Sequence, residues 1–555
     1  MGVCEERDAY MTNVDKSRSG RGELAGTIPA DSGARSESDS VDEIKRLVQE
    51  RLNQEAEMEP PAEEKPVMNS QFIDDCLFAN ALGDGTMYAT LFRDRFLYCK
   101  NTQEWFEWTG HHWERDIMGR ALAAVETVVQ QYLDEYKKVA GRIAGLVGDD
   151  GEEGQAKIKK LQKKQRDLLN RASKLRDDRR RNTCLTFSHT IENPLAIKGD
   201  EFDQKPMLFP CGNGVVDLER GKLIPGRPGD YLSLASPIDF LGIDAPAPLW
   251  EEKVLEIFSG DQDVVDYVQR LFGYAITGMV HEKVFPVLYG KGGWNGRSLI
   301  VETISYVMGS LAGSIPSEML LSSKFVKAAS GPSPDIMSLK GLRMTFASET
   351  DEGQKFSASK VKWLTGKDEL TGRNPHDKYP SRFPPTHKLF LMTNTQPQAP
   401  PNDKAFWERL HLIPFTLSFV NRDPQDESER RAILDLDQQL LKEVSGILAW
   451  LVRGCLLWQK HGLKPPLKVT EATEQYRRNE DLLADFIDSC CIREPGAMGQ
   501  SSTLYNRFIT WYHENIGEKH PSGTWFGKQL SQKYEKTRSG GCIHYIGIEL
   551  PKVES

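Results

Sequence analysis

Short apolar runs and helix-period patterns alternate along the middle of the chain. Apolar runs predict buried strands, and apolar positions spaced three and four residues apart predict amphipathic helices. Four runs predict strands, at 284–289, 342–348, 388–393 and 410–415. Because strands that alternate with helices form parallel sheets covered on both faces, the pattern indicates an α/β fold with a three-layer core over 284–465.

The part of the chain before this core divides into three segments. Residues 1–70 hold few apolar positions, which predicts a disordered N-terminal tail. Residues 71–248 combine short aromatic strands with helices, which predicts an α+β domain. Its tryptophans, Trp105 to Trp113, fit a hydrophobic hairpin core better than a platform for stacked bases. A helical pattern over 250–278 fills most of a lead-in segment, 249–283.

One helix of the N-terminal domain, predicted over 156–181, is strongly basic. Apolar residues from Ile158 to Leu175 form a seam for a partner helix, and the whole segment carries twelve Lys and Arg against three Asp. The basic helical hairpin that contains it could be an arm that contacts phosphates. It could equally be a solvated helical face, and the sequence leaves both readings open.

The last segment, 466–555, predicts a small separate domain. Helical patterns at 481–491 and 502–512 precede a third over 523–530, and 542–550 predicts strands. This order of three helices followed by a β-wing is typical of a winged-helix DNA-binding domain.

Charge and composition narrow the function classes. The formal net charge of −9 does not indicate a general nucleic-acid binder, so any such site depends on local patches. The nine cysteines include no C-x-x-C pair, which predicts free thiols in a reducing cytosol. No apolar run reaches the roughly 18 residues that a membrane span needs, and the N-terminus has no apolar signal core.

A glycine-rich stretch follows the first core strand and precedes a helix, which together predict a phosphate-binding loop. Glycines allow tight turns whose N–H groups converge on an anion, and the helix N-terminus adds partial positive charge. A side chain at position 297 could reach the β- and γ-phosphates, and a hydroxyl at 298 could hold Mg²⁺. The candidate nucleotide-binding residues are Gly290, Gly292, Gly293, Asn295, Gly296, Arg297 and Ser298.

This loop departs from the usual G-x-x-x-x-G-K-[ST] pattern in two ways. One extra residue, near Trp294, lies between Gly290 and Gly296, and Arg297 stands in the place of the lysine. Arginine keeps the charge but presents a broad fork of donors. A plain glycine-rich turn between strand and helix is therefore the alternative interpretation.

Polar residues at the other core strands supply the remaining parts of a nucleoside triphosphate hydrolase. Glu349, Asp351 and Glu352 follow the second strand, and one of them would hold Mg²⁺ with Ser298 while another orients water. Asn394 follows the third strand and would touch the γ-phosphate or that water. Arg409, before the fourth strand, is a candidate arginine finger.

Through the order of these motifs, the chain resembles phage and plasmid primase–helicases in their superfamily 3 helicase part. These proteins are related to the poxvirus primase–helicase. The resemblance covers about 72–555 and is most specific in the glycine loop, 347–352, 390–394 and 408–415. It implies an AAA+-type P-loop core with a C-terminal winged helix. Glu408 departs from the family, which often has a second arginine there.

The resemblance implies an ATP- and Mg²⁺-dependent DNA helicase of a phage, prophage or plasmid replication system, working in the bacterial host cytosol. It implies a homohexameric ring in which Arg409 reaches a neighbouring subunit's ATP. A hairpin within 373–382 would enter the channel and bind single-stranded or forked DNA through Arg373, His376 and Lys378. A separate primase would provide priming.

Two alternatives remain from the sequence. Arg297 in place of lysine is compatible with a DNA loader that binds ATP without hydrolysing it. The C-terminal segment is compatible with a winged-helix DNA-binding regulator whose ATPase core is vestigial.

Overall fold

The computed structural model describes residues 68–148, 151–322, 332–348, 354–375, 379–518 and 520–551. Almost all of the predicted tail lies outside the described residues. The first helix within the described ranges begins at Ser70, where Asn69 caps it by accepting from the N–H of Phe72 at 2.9 Å. Five predicted site residues also lie outside the described residues: Glu349, Asp351, Glu352, His376 and Lys378.

The N-terminal domain combines a helical bundle with a small sheet. Its helices are α1 (Ser70–Phe78), α2 (Asn80–Phe92), α3 (Arg120–Ala123), α4 (Val125–Leu146), α5 (Glu152–Lys174) and α6 (Asp178–Ser188). Its strands are β1 (Phe96–Cys99), β2 (Glu104–Trp108), β3 (Trp113–Arg115) and β4 (Ala196–Ile197), in the order β3-β2-β1-β4. Trp113 is buried and Trp105 packs against Tyr88 and Tyr98, as a hydrophobic hairpin core requires.

The predicted helix over 156–181 is two helices, so that expectation needs correction. α5 ends at Lys174, and Asp177 adopts an extended conformation before α6 begins. The predicted seam does form, because Leu168 and Leu175 are buried in the core that α4 shares. The break lets α6 pack beside α2 and brings Arg180 to the buried carboxylate of Asp84, at 2.6 Å.

A second antiparallel sheet and two helices connect this domain to the parallel sheet. They are β5 (Leu208–Cys211), β6 (Gly214–Asp217), β7 (Lys222–Ile224), α7 (Pro248–Ile257) and α8 (Gln262–Ala275). The single helix predicted over 250–278 is broken at Ser259 and Gly260, which both have positive φ. Phe209 of β5 and Trp250 of α7 share one hydrophobic core, so the predicted boundary at 248 does not separate two cores.

Five parallel strands form the central sheet. They are β8 (Phe285–Tyr289), β9 (Ala312–Ser314), β10 (Met344–Ser348), β13 (Lys388–Thr393) and β14 (Leu410–Pro414), in the order β14-β8-β13-β10-β9. Alternate side chains point to opposite faces. Leu288 and Phe390 join the core that contains α8, while Val287 and Leu391 join a separate core on the other face. The predicted α/β architecture with a parallel sheet is therefore confirmed.

Helices and short strands surround the central sheet. The helices are α9 (Arg297–Met308), α10 (Pro334–Met337), α11 (Ala358–Leu364), α12 (Lys404–Trp407), α13 (Leu436–Leu440), α14 (Val444–His461) and α15 (Leu467–Glu480). The strands are β11 (Leu370–Gly372), β12 (Ser381–Phe383), β15 (Ser418–Val420) and β16 (Glu429–Arg431), which form two separate pairs.

Two buried cations fix the amino edge of the central sheet. Arg343, before β10, donates to the carbonyl oxygens of Ile276, at 2.8 Å, and Leu208. Lys388, the first residue of β13, donates to the carbonyl oxygens of Thr277 and, at 3.0 Å, Thr386. Ile276 and Thr277 directly follow α8, at the end where the helix dipole is negative and carbonyl groups lack helical partners. The sheet is thereby held against α8 and β5.

Beyond α15, the described residues of the C-terminal segment form three helices and a three-stranded antiparallel sheet. The elements in chain order are α16 (Leu482–Cys490), β17 (Met498–Gln500), α17 (Ser501–Asn515), α18 (Gly523–Lys533), β18 (Lys536–Ser539) and β19 (Cys542–Ile546). Gly540 and Gly541 both have positive φ, which the tight turn between β18 and β19 requires. The helices lie where the sequence predicts them, with β17 as an additional strand.

We predict that His387 makes the protein less stable in mild acid. Its Nε2 lies 3.1 Å from the carbonyl oxygen of Leu364, and burial lowers the pKa of His387 to about 4, with the ammonium of Lys388 acting in the same direction. An unfolded chain binds this proton near pH 6.5. Folding stability should therefore fall as the pH drops from 6.5 towards 4, by about 2 kcal/mol at pH 5 from this residue.

The measurement is the thermal unfolding midpoint at about pH 7 and pH 5. His387→Gln keeps a donor for the Leu364 carbonyl but has no proton to gain, so its midpoint should fall less than that of the unaltered chain. Equal losses in the two proteins would contradict the prediction.

Candidate functional site

The glycine loop connects β8 to α9 at the carboxyl edge of the central sheet. Gly292 and Gly296 have φ of +82° and +83°, and a side chain on Gly296 would place its Cβ 2.8 Å from Ile257. Trp294 also has positive φ, at +62°, an uncommon conformation for a bulky residue. Its carbonyl oxygen accepts from the N–H of Phe419 at 2.7 Å, which ties the loop to β15.

Asn295 organises this loop from the inside. The side chain is only 4% exposed, and its Nδ2 donates to the carbonyl oxygen of Gly292 at 3.1 Å. A Cβ on Gly290 would lie 2.4 Å from the same amide nitrogen, so any other residue at this position would displace the Asn295 side chain. Asn295 Oδ1 accepts from Nε of Arg297 at 2.9 Å. The asparagine thus couples the loop's shape to the first residue of α9.

The guanidinium of Arg297 is bound to the carboxyl ends of two strands of the central sheet. The residue is 8% exposed, and its guanidinium donates to the carbonyl oxygens of Leu288 and Thr393 and to Oδ1 of Asn394. Burial lowers the pKa of Arg297, although an arginine keeps its proton. This arrangement was not apparent from the sequence, which suggests a side chain directed at phosphates.

Asn394 lies beside the glycine loop because β13 is the neighbour of β8. Thr393 pairs with Tyr289, and the N–H of Gly290 donates to the carbonyl oxygen of Thr393 at 3.3 Å. On the other side of β13, Ser348 ends β10 opposite Met392. β10 therefore ends one strand away from Asn394, on the edge of the sheet where the glycine loop lies.

A cavity of about 490 Å³ opens beside the loop. Its polar wall includes Asn394 and the exposed Ser298 in the first turn of α9, where helical N–H groups lack partners. Its other wall is largely apolar and includes Ile257, Phe419 and Leu434. No motif in the sequence marks this apolar wall, because residues from two distant segments, one near 257 and one at 419–436, build it. The cavity could hold an anion at one end and a flat apolar group at the other.

Arg409 lies apart from the glycine loop and Asn394 of the same chain. It precedes β14, and its carbonyl oxygen accepts from the N–H of Phe285, the first residue of β8, at 2.6 Å. Because β8 and β14 are parallel, Arg409 lies at the opposite edge of the sheet from the glycine loop, about 17 Å away along the strands. One of its guanidinium nitrogens donates to the carbonyl oxygen of Ala405 at 2.5 Å.

An antiparallel hairpin forms where the DNA-contacting segment is predicted. β11 pairs with β12 from Leu370 opposite Phe383 to Gly372 opposite Ser381. Arg373 follows β11, and its N–H donates to Oγ of Ser333 at 3.2 Å, close to α10. Between the strands, Tyr379 is strongly exposed.

The chain is similar in sequence to a family model and to several viral proteins. Residues 85–259 match the family model described as "D5 N terminal like". A protein of Acanthamoeba polyphaga mimivirus named "Putative helicase" is 28% identical over 333 residues, which cover 58% of this chain and 34% of the relative. A protein of African swine fever virus named "Putative primase" is 23% identical over 354 residues, which cover 60% of this chain and 36% of the relative. These matches confirm the resemblance to primase–helicases.

The extent of the similarity is limited. The chain spans little more than a third of the length of these two relatives. The solved apo structure of the NrS-1 C terminal region is similar with a TM-score of 0.37 and 12% identity, over 62% of this chain and 83% of that chain. None of the helices in the described ranges is long and apolar enough to cross a membrane.

We predict that Arg297 stabilises the chain in the absence of any ligand. Lysine has a single nitrogen, which cannot span separate acceptors on β8, β13 and Asn394. Arg297→Lys should therefore lower the thermal unfolding midpoint of the ligand-free chain by roughly 2–10 °C. Lys291→Gln, an exposed change in the same loop, is the matched control and should leave the midpoint nearly unchanged. An unchanged midpoint for Arg297→Lys would show that these contacts contribute little.

Proposed function

We propose that this chain is the motor of an ATP-dependent, superfamily 3 DNA helicase with an AAA+-type core. One observation carries the proposal: the glycine loop, the first turn of α9 and Asn394 meet at one cavity on the carboxyl edge of the parallel sheet. Ligands of open α/β sheets bind at this edge. The similarity to viral proteins named as helicases and primases supports the same function.

The chemistry follows from the types of side chain at this edge. Backbone N–H groups of 290–296 would bind the phosphates of ATP, and Ser298 with Glu349 would hold Mg²⁺. Asp351 or Glu352 would orient the attacking water, and Asn394 would contact the γ-phosphate. The apolar wall with Ile257, Phe419 and Leu434 suits the base. A γ-phosphate would compete with Asn394 for the guanidinium of Arg297, so ATP binding would change that contact.

The position of Arg409 supports a ring. Arg409 cannot reach the cavity of its own chain from the amino edge of the sheet, so its proposed role requires a second copy. Head-to-tail contacts between identical chains close into rings. A homohexamer with ATP between subunits is the assembly that we propose.

DNA would be bound by two elements. The β11–β12 hairpin, with Arg373, His376 and Lys378, would contact the backbone of single-stranded DNA. The C-terminal domain would act as a winged helix on forked DNA, and a separate primase would supply primers. The relatives named above come from viruses, so they lend no support to a bacterial host cytosol, which stays a prediction.

A second candidate is a loader that binds ATP without hydrolysing it. The internal contacts of Arg297 favour it, because a guanidinium held by carbonyl groups is less available to a phosphate than a free ammonium. A winged-helix regulator has less support. Gln529 and Gln532 of α18, the third helix of that domain, accept hydrogen bonds from Asn402 of the core, at 2.6 and 2.8 Å, so this face of α18 is engaged.

The test of hydrolysis is the steady-state ATP turnover of the full chain with and without single-stranded DNA. We expect DNA-stimulated turnover, reduced at least about 100-fold by Arg297→Ala and by Glu349→Gln, since each removes charge that stabilises or activates the transferring phosphoryl group. Lys222→Gln, an exposed change that does not line the cavity, is the control and should turn over normally. No turnover in the unaltered chain, together with turnover in Arg297→Lys, would reject the motor and favour the loader.

The test of the ring is complementation between two inactive variants. Arg409→Ala and Glu349→Gln should each be inactive alone, because every interface lacks one group. In a random 1:1 mixture, about a quarter of the interfaces would combine an intact Glu349 with an intact Arg409, so turnover should return to about that fraction. No recovery after subunits have exchanged would contradict an arginine supplied by the neighbour.

A further inference from the structure

The helix α5 has two faces with different electrostatic roles. On one face, Lys164 pairs with Asp74 at 2.6 Å and with Glu135 at 2.9 Å, and Arg171 pairs with the buried Asp84 at 2.8 Å. These three acids come from α1, α4 and α2, so the ion pairs fix α5 to the rest of the domain. The positive charge on this face is therefore neutralised within the protein.

The face of α5 opposite its apolar seam carries cations that form no such ion pairs. We define the basic stripe as Lys159, Lys160, Lys163, Arg166 and Lys174, which are all exposed. None of the five has an ion-pair partner among the described residues. At 100° per residue they fall within an arc of about 120°, and from Lys159 to Lys174 they extend about 22 Å along the helix. Between Lys159 and Lys174, Asp167 is the one acid within this arc, and Glu152 lies in the same arc at the start of α5.

A row of like charges is unfavourable for the helix itself. Like-charge pairs three and four residues apart, such as Lys159 with Lys163, each cost a few tenths of a kcal/mol. The helix tolerates this repulsion because its other face is anchored by the buried seam and the ion pairs. The basic stripe is positive although the chain's formal net charge is −9, so it creates a local positive potential on a protein that is negative as a whole.

We propose that the basic stripe binds the phosphate backbone of duplex DNA without reading its sequence. Five cations in a row match a polyanion that carries one negative charge per roughly 1.7 Å of helix axis. α5 contains no aromatic residue, and proteins that hold single strands stack bases on aromatic side chains. The stripe is therefore suited to a duplex, and it lies on a different domain from the β11–β12 hairpin. This proposal does not depend on ATP hydrolysis.

The test measures binding of the full chain to a 30-base-pair duplex of arbitrary sequence by fluorescence anisotropy, at salt concentrations from 50 to 200 mM. The stripe variant combines K159Q, K160Q, K163Q, R166Q and K174Q. The control variant makes the same change in net charge at five other exposed lysines, as K205Q, K222Q, K283Q, K442Q and K460Q.

The stripe variant should bind the duplex at least about tenfold more weakly at 100 mM salt than the unaltered chain. The slope of log K against log salt should become shallower by about 3–4.5, or about 0.9 per lost phosphate contact. The control variant should change both quantities much less. If the stripe and control variants lost equal affinity for the duplex, net charge alone would explain the effect, and the proposal would be overturned. Unchanged affinity of the stripe variant would also overturn it.

The same variants separate duplex from single-stranded DNA. With a 30-nucleotide single strand, the stripe variant should bind nearly as well as the unaltered chain, because the hairpin that we assign to single strands is intact. An equal loss on both DNAs would overturn the assignment to a duplex. Unchanged thermal unfolding midpoints would show that the substitutions leave the fold intact.

Discussion

The candidate site depends on the guanidinium of Arg297. It joins the carboxyl ends of β8 and β13 through main-chain carbonyl groups, and it holds the side chains of Asn295 and Asn394. Asn295 in turn shapes the glycine loop. The loop, the end of β13 and the start of α9 therefore form one hydrogen-bonded unit, and a ligand that displaces any member must exchange contacts with the others. The guanidinium of Arg297 can be buried here because its N–H donors are paired with carbonyl and amide oxygens.

At the opposite edge of the sheet, buried cations also donate to main-chain carbonyl groups. Arg343 and Lys388 are buried there, and both donate to carbonyl oxygens near the end of α8. Burial lowers the pKa of Lys388 well below its usual range, and it lowers the pKa of Arg343 to about 10. Buried cations bound to main-chain carbonyl groups thus fix both edges of the sheet. The edge with Arg297 contacts the candidate cavity, whereas Arg343 binds carbonyl groups of neighbouring secondary structure.

Local patterns in the sequence predicted much of this architecture. The strand over 388–393 was predicted at its observed bounds, and the loop, α9 and Asn394 lie together as strand order in a parallel sheet requires. The direction of the Arg297 side chain was not predictable, because its partner Asn394 is 97 residues away. The break after Lys174 likewise depends on Arg180 reaching Asp84, 96 residues away. β9 consists of Ala-Gly-Ser and lacks the apolar signal of a strand. Tertiary partners decided each of these features.

The conformation of Trp294 has an optical consequence. All eleven tryptophans lie within the described ranges, and Trp294, at 74% exposure, is the only exposed one among them. Water-soluble quenchers would reach this indole before the others, so the quenchable part of the intrinsic emission comes mainly from the glycine loop. Trp294 thus gives the chain a spectroscopic reporter at its candidate site, without a label.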